Sequence, residues 1–146
     1  MYYRIAMACL ALLMALSFAA CKDGNLEKYA YQVIDSANVV YDTSMKISAE
    51  LYRDGTIDKE DWRKIAKIGN KVRATGHSAA VVMRQYHVAV EDHGADSSQA
   101  EEIADKATSI LFNLMENAKE LQANVRDIAP GVEFKNVDWP KTSELQ

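Results

Sequence analysis

The chain has 146 residues, 49% of them hydrophobic and 26% charged, which suits one globular domain and excludes a wholly disordered one. Six Gly and two Pro exclude collagen-like and Pro-rich classes. A net charge of −4 leaves no basic footprint for a nucleic-acid binder, and two Cys cannot build a disulfide-rich scaffold.

Residues 1–20 differ from everything after them. Arg4 is the only charge before Lys22, and from Ile5 to Ala20 Ser17 is the only polar residue. A run of 16 is short for a membrane span, which needs roughly 20 apolar residues. A short positive start, an apolar stretch and small residues at its end describe an export signal. The competing reading is a buried first helix, which would need partners on every face.

The end of this segment, Phe18-Ala19-Ala20-Cys21, resembles the lipobox of bacterial lipoproteins. The resemblance implies a diacylglycerol on the Cys21 sulfur and cleavage between Ala20 and Cys21. The chain departs from the family pattern at Phe18, where Leu is commonest. Ordinary signal cleavage after Ala19, using the small residues Ser17 and Ala19, is the other reading. Cys9 lies within the apolar run and would leave with it. Lipoproteins with Asp directly after the Cys tend to stay in the inner membrane. Lys22 stands there, so the resemblance implies the outer membrane of a two-membrane envelope. One acyl chain anchors only marginally, whereas two or three hold firmly.

The rest reads as an all-α, up-down-up three-helix bundle over residues 21–131, with helices at about 25–54, 59–93 and 98–129. Leu26, Ala30, Val33, Ala37, Val40, Ser44, Ile47 and Leu51 follow the 4,3 spacing of a helix seam. Asn25 suits its N-cap and Gly55 the left-handed position past its end. Asp58 caps the next helix, with Ile57 and Trp62 placed as a hydrophobic staple. Its seam runs Trp62, Ile65, Gly69, Val72, Gly76, Ala79, Met83, Tyr86, Val90, and Gly94 ends it. The two glycines within the helix imply close approach by a neighbour. Ser98 and Glu101 read as a capping box for the third helix. Its stripe is Ile103, Ala107, Ile110, Leu114, Ala118, Leu121, Val125 and Ile128, and Pro130-Gly131 stops it. Residues 132–146 lack a helical stripe. Phe134 and Trp139 are too apolar for a purely solvated tail, so the tail either folds back on the bundle or binds a partner. Tyr41, Met45 and Tyr52 form a second partial stripe, either a widened core or a contact face.

Chemistry is sparse. Asp54-Gly55-Thr56-Ile57-Asp58 resembles the middle of an EF-hand loop, but Tyr52 and Asp61 fall on positions that need other ligands. His87 and Glu91 lie one turn apart without an evident third metal ligand, and no HExxH or CxxCH occurs. No nucleophile elbow or phosphate loop appears. No cofactor, metal or catalytic residue is therefore expected. The overall plan resembles small helical lipoproteins of bacteria and their prophages, some of which block phage entry. The expectation is a lipid-anchored, non-catalytic envelope protein with a structural or interaction role. Its membrane partner is reached through Cys21, an unidentified protein partner through Phe134, Trp139, Tyr41 and Tyr52, and nucleic acid is not expected. The alternative is a small-ligand or metal carrier, using a cavity beside Gly69 and Gly76 or the His87/Glu91 pair.

Overall fold

The computed structural model describes residues 25–141. These form α1 (Asn25–Arg53), α2 (Lys59–His93) and α3 (Ser98–Ile128), all-α and packed as a three-helix bundle. At 1.5 Å per residue, the 35-residue α2 is roughly 50 Å long. Short turns make neighbours antiparallel. Accordingly Glu27, early in α1, meets His87, late in α2. The α2–α3 hairpin is the most extensive pairing.

The turn between α1 and α2 follows from Gly55. At φ 73° it takes the left-handed conformation that costs other residues a Cβ clash. Thr56 N–H then donates to Leu51 C=O (2.9 Å) and Gly55 N–H to Tyr52 C=O (3.2 Å). This is the Schellman pattern, and it satisfies two carbonyls that the helix end leaves open. Three residues after Gly55, the Asp58 carboxylate accepts from the N–H groups of Glu60 (2.7 Å) and Asp61 (2.9 Å), starting α2. Ile57 is buried against the core that Trp62 also joins, and the Tyr52 and Trp62 rings stack at 5.9 Å.

The α2–α3 turn departs from the expected capping box. Ser97, not Ser98, is the N-cap: its Oγ accepts from Ala100 N–H (3.2 Å) and donates to Gly94 C=O (2.9 Å). Ser97 can close the turn and cap the helix with one hydroxyl, and the third position on is then Ala100, so no box forms. Two helix ends also fall one residue short of expectation, at Arg53 and Ile128. At the second, Pro130 disfavours helical geometry at Ala129, which has φ −137° and ψ 75°. Any cap at Asn25 lies outside the described side chains.

The core is broader than a two-position seam. Ile68, Val82 and Ala89 on α2, and Ala100, Leu111 and Met115 on α3, are buried beside the expected stripes. Each apolar stripe is thus about three positions per heptad wide, as suits a helix facing two neighbours. Leu111, Leu114, Met115 and Leu121 are the largest fully buried side chains. The buried residues of α1 are smaller: Ala30, Val33, Ala37, Val40, Ser44 and Ser48 among them. The hydroxyls of Ser44 and Ser48 are buried without a hydrogen-bond partner among the described residues. Such burial is unfavourable by about 1–3 kcal/mol per group.

The two glycines inside α2 are not equivalent. A Cβ on Gly69 would lie 2.8 Å from Met45 Sδ and 3.5 Å from a Tyr41 ring carbon. A Cβ on Gly76 would meet only Leu114 Cδ1, at an ordinary 3.8 Å. Close approach therefore explains Gly69 alone. Gly76→Ala is expected to stabilise the bundle by about 0.5–1 kcal/mol through helix propensity. Gly69→Ala must displace Met45 and is expected to gain less or to lose stability. Urea denaturation of the two variants side by side checks this ordering.

Candidate functional site

The tail is not loose. After α3 it returns along the α1–α3 side of the bundle. The Arg126 guanidinium lies 5.4 Å from the Phe134 ring centroid, a cation–π contact. Asn136 takes φ 61°, a left-handed turn that Asn tolerates better than most residues. Two residues later Asp138 N–H donates to Ser36 Oγ (3.1 Å), which donates back to Asp138 C=O (3.0 Å). Val132, Phe134, Val137 and Trp139 pack on the main core, and Pro140 is buried. The tail thus forms an extended strap that runs antiparallel to α1. At its end Trp139, Pro140 and Lys141 line an open groove of about 580 Å³ with Lys28, Tyr29 and Gln32. The indole N–H of Trp139 is buried and has no acceptor among the described residues.

The candidate contact residues therefore sit apart. Phe134 and Trp139 face the bundle within the strap. Tyr41 is half-buried and fills the space beside Gly69. Tyr52 is 42% exposed but stacked on Trp62. Tyr31, at 75%, is more exposed than any of these, and Val81 (43%), Val88 (48%) and Phe112 (39%) are exposed as well. All four fall outside the helix seams. Ala20 and Cys21 lie outside the described residues.

His87 does gain a third group that spacing could not show. Its Nδ1 lies 3.3 Å from Glu27 Oε1 on α1 and its Nε2 3.2 Å from Glu91 Oε1. Each ring nitrogen faces its own carboxylate, so the ring bridges two acids rather than joining them around a common point. Among the described residues, no group of three His, Cys, Asp or Glu is placed to hold a metal ion. The Asp54–Asp58 segment is likewise occupied as a turn, with Asp58 Oδ1 taken by two backbone N–H groups. The space beside Gly69 is filled by Met45 and Tyr41. At the start of α2, Glu60 first and Asp61 second hold the Lys64 ammonium above the ordinary lysine pKa. All three are exposed, so this is a minor contribution to stability. Comparison with family models, curated proteins and solved structures found no match for this chain.

Proposed function

We propose that this chain is a lipid-anchored, non-catalytic helical rod of the bacterial cell envelope that works by contact with another protein. The observation that carries the reading is the apolar run Ile5–Ala20 ending in Phe18-Ala19-Ala20-Cys21. Among the described residues, no helix is long and apolar enough to cross a membrane. Attachment under this reading therefore rests on acyl chains carried by Cys21. Lys22 directly after it favours the outer membrane where there are two. The body fits such a part. Its interior is filled mainly by apolar side chains from three long helices, and its exposed valines, Tyr31 and Phe112 lie on outer faces.

Replacing Cys21 by Ser tests the reading. Wild-type protein is expected to fractionate with membranes and to carry a diacylglyceryl group on its mature terminus by mass spectrometry. The C21S variant is expected in the soluble fraction. An unmodified thiol on the wild-type terminus, or a variant that stays fully membrane-bound, overturns the proposal.

A further inference from the structure

The charges of this acidic chain are strongly sorted along α2. No Asp or Glu occurs between Asp61 and Glu91, whereas Arg63, Lys64, Lys67, Lys71, Arg73 and Arg84 all do. The next fifteen residues reverse this. From Glu91 to Asp105 there are six acids and no Lys or Arg. The stretch of α2 from Arg63 to Arg84 is therefore cationic, and the end of the rod at the α2–α3 turn is anionic.

One face of α2 joins the two. Lys67, Lys71, Ala74, Ser78, Val81, Gln85, Val88 and Asp92 follow each other at steps of 4,3,4,3,4,3,4, and every one is exposed. This is a second seam at coiled-coil spacing, turned away from α1 and α3, about 37 Å long at 1.5 Å per residue. Its middle is uncharged, with two exposed valines. Its ends are opposite in sign. Among the described residues, Arg63, Lys67, Asp92 and Asp96 make no ion pair within the chain.

The spacing is also palindromic, and that decides the occupant. We propose that this face pairs with the same face of a second copy, antiparallel, about a two-fold axis between Ser78 and Val81. In that register Val81 meets Ser78 of the second copy and Ala74 meets Gln85. Lys67 meets Asp92, and Arg63 lies level with Asp96 beyond the helix end. A two-fold contact closes on itself, so the product is a dimer rather than a fibre. A parallel pairing would set cation on cation and acid on acid. A long polyanion would meet the cationic part but be repelled by the acidic end. Ala and Ser bring the helices close while burying little apolar area, so charge supplies much of the selectivity and the dimer weakens as salt rises. The pairing goes beyond the proposed anchoring and stands without an acylated Cys21.

Sedimentation equilibrium of the full chain, in neutral detergent with micelles in excess, tests it. Wild type is expected to show a monomer–dimer equilibrium whose Kd rises between about 0.05 and 0.5 M salt. Lys67→Glu is expected to weaken the dimer roughly tenfold or more, since it acts twice per dimer. The swap variant Lys67→Glu/Asp92→Lys is expected to regain most of the affinity. Circular dichroism confirms that both remain folded. A wild type that is monomeric throughout overturns the proposal, and so does a dimer indifferent to Lys67→Glu or a swap that fails to restore it. Binding of phosphatidylglycerol vesicles that is lost in Lys67→Glu, with no dimer present, would assign the face to lipid instead.

Discussion

Leu121→Ala is expected to remove about 2–5 kcal/mol from the stability of the bundle. Leu121 is fully buried on α3, in a core it shares with Val33 and Val40 of α1 and Val72 of α2. Shortening it removes favourable burial and leaves a cavity that three long helices, each fixed by its other contacts, can close only in part. A domain of this size is typically stable by about 5–15 kcal/mol, so the variant loses a large share of its margin. Urea denaturation should show a lower midpoint with an unchanged slope. A loss below about 1 kcal/mol would mean that α3 does not pack as described.

The strap gives the second large effect. Trp139→Ala is expected to destabilise the protein by about 2–4 kcal/mol, below a fully buried Trp because part of the side chain remains accessible. Trp139→Phe keeps the apolar contact and removes an indole N–H that is buried without an acceptor among the described residues. It is expected to lie within about 1 kcal/mol of wild type. The contrast separates a structural strap from a tail held ready for a partner. In the latter case neither substitution would move the denaturation midpoint.

The helices were readable from the chain because each signal is local. Gly55, Asp58 and Gly94 act through backbone geometry within one turn of their own position, and the structure uses all three as read. The Ser97/Ser98 ambiguity shows where local reading stops. Both residues can cap, and only the reach of Ser97 Oγ to Gly94 C=O selects between them. Gly69 and Gly76 looked alike because each interrupts the same helix. What distinguishes them is Met45, on another helix. Ser36 carried no signal at all, since its partner is a backbone 102 residues away. The acid-free length of α2 was present in the sequence. It gained meaning only once the structure showed which of its faces stays uncovered.

The return of the strap has a mechanical consequence. Because it runs back beside α1, the described chain ends, Asn25 and Lys141, lie towards the same pole of the rod, and the turn at 54–58 forms the opposite pole. Pulling those two ends apart would load the strap in peeling geometry, breaking the contacts at Trp139, Ser36 and Phe134 one after another at low force. A load applied between Asn25 and the 54–58 turn would instead run along the helix axes and strain many contacts at once. The same molecule is thus compliant when tugged by its tail and stiff when gripped at its far tip.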